Sequence, residues 1–180
     1  MKRAQEFQIG RLKYKFQAVQ EKSCIFGLLK CFMKTAEPIL INQIFNVPAA
    51  KIWRALTEPA QMKSWYFDIK VFKPEPDFEF QFEGGDENRT FLHLCKITVA
   101  IPNQKLAYTW RYEGFSGNTL VTFELFPEGE NTRLQLTHEG LETFPENEPA
   151  LARQNFVEGW NYIIGTSLKN YLEAETVSNQ

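Results

Sequence analysis

The sequence predicts an α+β fold: a curved antiparallel sheet of six or seven strands wrapped around a long C-terminal helix, with two short helices after the first strand. Three observations carry this. Between residues 67 and 139, short runs of alternating polar and apolar residues follow one another, separated only by turn-forming clusters. Before them, VPAAKIWRALTEPAQMKSWY (47–66) shows helical spacing broken by Pro59. Near the end, FVEGWNYIIGTSLKNYL (156–172) repeats large apolar residues at helical spacing over several turns.

The elements follow in order. In EPILINQIF, residues Ile39, Ile41 and Phe45 mark a first strand. Pro48 suits a first helical turn, and Ile52, Trp53 and Leu56 share one face of the helix that follows. Thr57-Glu58-Pro59 ends it and starts a second short helix. The pair is a packing unit, since no basic recognition helix follows. FDIKVF (67–72) and FEFQF (78–82) read as strands divided by the proline-broken KPEPD, and GGDEN is a turn. TFLHLCKITVAI, KLAYTWRY, TLVTFEL and TRLQLTHE complete an antiparallel meander, turned at PNQ, EGFSGN and PEGEN.

Parity assigns the covered face of the sheet, because successive strand residues point to opposite sides. His93, Cys95, Ile97 and Val99 fall on it, as do Tyr108, Trp110 and Tyr112. Val121, Phe123 and Leu125 join them, followed by Leu134, Leu136 and His138. Lys96, Arg111, Glu124 and Arg133 fall on the wet side.

The closing helix is expected to start near Asn147 or Glu148, with Pro149 in its first turn, and to run to Glu173. Phe156, Trp160, Ile163, Ile164, Leu168 and Tyr171 form its apolar stripe. Burying each large side chain is worth about 1.5–3 kcal/mol gross. That outweighs Gly159 and Gly165, each costing about 0.5–1 kcal/mol relative to alanine. Gly159 lies on the flank of the stripe, where a missing side chain is expected to let helix and sheet approach.

Composition bounds the functional classes. The 180 residues are 43% hydrophobic and include 16 Phe, 4 Trp and 6 Tyr, which fill large cores and line small-molecule pockets. A net charge of −2 gives no reason to expect nucleic acid. Residues 1–32 carry seven Lys/Arg against two Asp/Glu, whereas residues 33–180 carry thirteen against twenty. The basic leader is therefore expected to lie outside the domain of residues 33–180. It is either a loosely ordered arm or an upstream extension of a protein that starts at Met33. CIFGLLKCFM within it is too short to span a bilayer, lacks a small-residue cleavage site, and suits at most a membrane-surface helix. Cys24, Cys31 and Cys95 make neither a disulfide framework nor a paired metal site, so the expected setting is the reducing cytoplasm.

A strand, two short helices, an antiparallel meander and a long closing helix make a helix-grip arrangement, and the chain resembles the START-like (SRPBCC) superfamily. More narrowly, it resembles the homologues of the activator of the heat-shock-protein-90 ATPase. The matching residues are VPAAKIWRALTEPAQMKSWY, KLAYTWRY, LVTFELFPEGENTRLQLTHEG and GWNYIIGTSLKNYL, in that order across most of residues 38–173. KPEPDFEF departs from the Pro-Gly-Gly-like turn common in that family before its third strand, and the leader has no counterpart. The resemblance implies a cavity between helix and sheet rather than a catalytic constellation, and its name implies a link to stress response. It also keeps two alternatives open: a protein-interaction module related to co-chaperone domains, and a cyclase- or hydrolase-like enzyme of the same superfamily.

No GxSxG, HExxH, P-loop or GxGxxG motif occurs, so no catalytic residue, metal or cofactor is assigned. The expected occupant is a small hydrophobic or amphipathic molecule, bound by a monomer or homodimer without stable membrane insertion. By parity and helical phase, Tyr108, Trp110, Phe123, Phe156 and Trp160 converge on it, with Trp65 a further candidate. For any single tryptophan, a place in the core is the alternative that large aromatics more often take. His93 and His138 face inward, either to contact a ligand or act as acid and base, or to be satisfied by neighbouring protein groups. Cys95 reads as an inert core thiol. Arg153 stands one heptad before Trp160, at the expected cavity mouth. It would hold a carboxylate or phosphate there, or pair at the rim with Glu139 or Glu142.

Overall fold

The computed structural model describes residues 37–85 and 89–177. The leader of residues 1–32 and residues 86–88 of the expected GGDEN turn lie outside the described residues. Strand β1 (Ile39–Phe45) is followed by helices α1 (Ala49–Thr57) and α2 (Pro59–Trp65). Strands β2 (Glu79–Gly85), β3 (Thr90–Ile101), β4 (Lys105–Tyr112), β5 (Thr119–Glu128) and β6 (Asn131–Glu139) then form the meander. The order β1-β6-β5-β4-β3-β2 is antiparallel throughout, with β1 and β2 at the edges. The expected architecture is therefore present, with six strands among the described residues.

Local corrections have physical causes. Pro48 is the N-cap residue of α1 rather than part of its first turn. FDIKVF is irregular, although Ile69 and Phe72 are buried. Its alternation serves packing, since it joins no ladder of the sheet. In β3, the register shifts between Ile97 and Val99. Ile97 lies opposite inward-facing Tyr108, but Val99 lies opposite Ala107, and Ala100 opposite the buried Leu106. The bulge thus inverts the parity, moving Val99 off the covered face and placing Ala100 on it.

The closing helix starts later than expected. Pro149–Leu151 forms a separate 3-10 turn, in which the Glu148 carboxylate accepts from the Ala150 N–H. The Asn155 side-chain amide donates to the carbonyls of Pro149 (2.9 Å) and Ala150 (3.0 Å), taking up groups that a continuous helix would use. Ala152 is extended, and α3 runs over Arg153–Tyr162. A π-helical segment, Ile163–Leu168, follows, and α4 (Lys169–Val177) continues beyond the expected end at Glu173.

The buried residues of this helix are Phe156, Trp160, Ile164, Leu168 and Leu172, a strict spacing of four. At 3.6 residues per turn such a stripe drifts by about 40° per step, about 160° over four steps. The wider π segment takes up that drift and keeps Ile164, Leu168 and Leu172 on the sheet side. Ile163 and Tyr171 are accordingly flank residues, only partly buried. The core lies between this stripe, α1 and the covered face of the sheet.

Candidate functional site

The helix does not cover the whole sheet. A cavity of about 610 Å³ lies between α3 with its π segment and the β2–β3 edge of the sheet. Trp65, Tyr66 and Phe67 enter it from the end of α2, and Gly84, Gly85, Phe91 and His93 from β2 and β3. Trp110 and Tyr112 of β4 also line it. The 3-10 turn gives Ala150 and Leu151, and the closing helix gives Asn155, Phe156, Gly159, Trp160, Tyr162, Ile163 and Ser167. Tyr162 is 65% exposed, so the mouth lies along this outer flank.

Two glycines shape the opening. A Cβ on Gly159 would meet nothing within 4 Å, which corrects the expectation of close helix–sheet approach there. The missing side chain leaves space in the cavity wall instead. Gly84 is the reverse case: a Cβ there would stand 2.8 Å from Phe67 and 3.0 Å from His93, so glycine is what lets Phe67 fold over the edge strand.

The aromatic wall is continuous. Phe82 stacks on His93 at 4.4 Å and on Phe67 at 4.4 Å. His93 meets the Trp110 ring edge-on at 4.8 Å, and Trp110 meets Trp160 at 5.5 Å. His93 Nδ1 stands 3.1 Å from the carbonyl of Phe91, where its N–H donates. Burial holds the imidazole pKa down to about 4, against a smaller upward pull from the carbonyls of Phe91 and Phe82. Tyr66 and Tyr108 share a hydroxyl–hydroxyl bond of 3.0 Å, and burial raises both phenols well above their ordinary range.

His138 is 0% exposed and does not line the cavity. The Trp160 indole donates to its Nδ1 at 2.9 Å, which requires the proton on Nε2. Nε2–H donates to Thr119 Oγ1 at 2.7 Å, and that hydroxyl donates to the carbonyl of Trp110 at 3.0 Å. This chain satisfies every polar atom of a neutral imidazole and ties the helix to the sheet. Burial pushes its pKa down to about 3.

Of the nine residues expected at the site, Trp65, His93, Trp110, Phe156 and Trp160 line the cavity, whereas Tyr108, Phe123, His138 and Arg153 do not. Tyr108 and Phe123 are core residues beside it. Arg153 is exposed, and its Nη2 donates to the carbonyls of Glu37 (3.3 Å) and Pro38 (3.4 Å). It forms no ion pair with Glu139 or Glu142 and fastens the chain ahead of β1. Sequence reasoning missed Tyr66 and Phe67, which sit in irregular backbone where no periodicity operates. The run Trp65-Tyr66-Phe67 was the available signal. Cys95 is a buried free thiol whose pKa burial raises far above the ordinary value. Among the described residues, no group of His, Cys, Asp or Glu could hold a metal.

A curved sheet gripping a C-terminal helix, with an aromatic cavity beside the contact, defines the helix-grip class of the START-like superfamily. The model of the family described as Activator of Hsp90 ATPase homolog 1-like protein matches residues 46–173, and the chain belongs to that family. Among solved structures, it is similar to protein MLL2253 from Mesorhizobium loti, with 25% identity and a TM-score of 0.63 over 77% of this chain and 98% of that one. CalU16 from Micromonospora echinospora is 22% identical, with a TM-score of 0.58 over 78% of this chain and 79% of its own. DynU16, from the dynemicin biosynthetic locus, is 19% identical with a TM-score of 0.62, and this chain, 77% of it aligned, spans 48% of that one. The last two likenesses show the fold. Comparison with curated proteins gives no significant match.

Proposed function

We propose that this protein binds a small hydrophobic or amphipathic molecule in the cavity between the closing helix and the β2–β3 edge. The observation that carries the proposal is an aromatic-lined space of about 610 Å³, a size and chemistry typical of small-molecule sites. Family membership supports it, since helix-grip folds commonly hold hydrophobic ligands.

Binding without turnover is the better-supported reading. The groups facing the cavity are poor acid–base catalysts near neutrality, with His93 neutral down to about pH 4 and the phenols of Tyr66 and Tyr112 raised by burial. Among the described residues, no helix is long and apolar enough to cross a membrane. A reducing cytoplasm suits the buried, unpaired Cys95.

Gly159→Phe tests the proposal. Its Cβ has open space, so the ring enters the cavity without displacing backbone. The parent should enhance 1-aminoanthracene fluorescence saturably with one site per chain, and the variant should lose this at an unchanged melting temperature. Absence of binding by the parent, or equal binding by both, would overturn the proposal.

A further inference from the structure

We propose that the ligand is uncharged and presents a carbonyl-type oxygen to the indole N–H of Trp110, with the Tyr112 hydroxyl beside it as a second donor. This rests on the reading of the cavity as a binding site. Trp110 Nε1 is the one buried side-chain nitrogen or oxygen among the described residues that has no hydrogen-bond partner. Buried donors are rarely left so, because the lost hydration is not replaced. The other two indoles of the cavity wall are satisfied: Trp65 donates to the carbonyl of Ala55 and Trp160 to His138.

The Trp110 ring has little freedom to find a partner. It is held edge-on by Phe82, His93 and Trp160 at 4.8–5.5 Å. Burial raises the nearby Tyr112 phenol, and the indole N–H of Trp110 pulls more weakly the other way, yet the pair falls short of the distance and angle of a hydrogen bond. Both rings belong to the cavity wall. Trp110 Nε1 is shielded from water, so the inferred contact requires Tyr112, its neighbour in the wall, to turn and admit the acceptor, with the Tyr112 hydroxyl then meeting the same oxygen.

The absence of charge comes from the lining. No Lys, Arg, Asp or Glu is among the described lining residues. A carboxylate or ammonium would enter without a counter-charge and lose its hydration.

Three compounds of one shape separate the terms: 2-acetylnaphthalene, 2-isopropenylnaphthalene, in which CH₂ replaces the oxygen, and 2-naphthoate. Displacement of 1-aminoanthracene from the full chain should rank the ketone about tenfold tighter than the alkene, the worth of one added hydrogen bond. The naphthoate should bind weakest. In Trp110→Phe the ketone's advantage over the alkene should disappear. In the parent itself, the ketone but not the alkene should move one indole N–H proton resonance downfield, a reading that does not depend on the variant folding. Equal binding of ketone and alkene, an unmoved indole resonance, or tightest binding by the naphthoate would overturn the inference. In those cases displaceable 1-aminoanthracene leaves the binding-site reading standing. If 1-aminoanthracene itself fails to bind, both fall together.

Discussion

Lowering the pH from 7 to 4.5 sets the two buried histidines against the fold. Each has a native pKa below the value of about 6.5 in an unfolded chain, His138 at about 3 and His93 at about 4. Above pH 6.5 both states are neutral, and neither histidine makes stability depend on pH. Below it the unfolded chain takes up protons that the native protein refuses, so stability falls as the pH drops toward the native values. At pH 4.5 each histidine lowers the unfolding free energy by roughly 2–3 kcal/mol, and the pair by roughly 5 kcal/mol. That is comparable with the whole stability of many domains. The assay is urea unfolding at half-unit pH steps, with the imidazole proton resonances followed in parallel. The chain contains 2 histidines, so both can be assigned by single substitution. The reasoning is refuted if stability is flat from pH 7 to 4.5, or if either imidazole titrates near 6.5 in the native protein.

Two further substitutions probe the framework. Trp160→Phe keeps a ring on the helix but removes the donor to His138 Nδ1; leaving that acceptor buried and unpaired should cost about 1–3 kcal/mol by urea unfolding. It should also raise the His138 pKa, because Nδ1 becomes free to accept a proton, and an unshifted imidazole titration would count against the proposed tautomer. Gly84→Ala should cost about 1–3 kcal/mol, since its Cβ falls within 3.0 Å of both Phe67 and His93. A neutral result by thermal unfolding would mean that Phe67 is not held over the edge strand.

Much of the architecture was written in local patterns. Alternation in KLAYTWRY and TRLQLTHE fixed both the strands and their inward residues, because a strand with one covered face must segregate polar from apolar side chains. The same parity put His93 and His138 inside, which the structure bears out. It failed at Val99, where one extra residue in the ladder inverted the faces. A bulge depends on the partner strand, so no reading of β3 alone could find it.

The candidate site was legible only in part, for the same reason. Parity and helical phase supplied Trp110, Phe156 and Trp160, since a single element sets each orientation. Arg153 keeps its helical phase with Trp160, since α3 begins at Arg153, but its exposed guanidinium turns to the carbonyls of Glu37 and Pro38, a contact between distant parts of the chain that helical phase does not show. The role of Gly159, the identity of the unpartnered indole and the neutral tautomer of His138 belong to the tertiary structure. Each is decided by which atoms from distant parts of the chain come within a few ångströms, and periodicity carries no information about that. The sequence determined which side chains leave water; only the packing of helix against sheet decided which of them meet one another and which face the cavity.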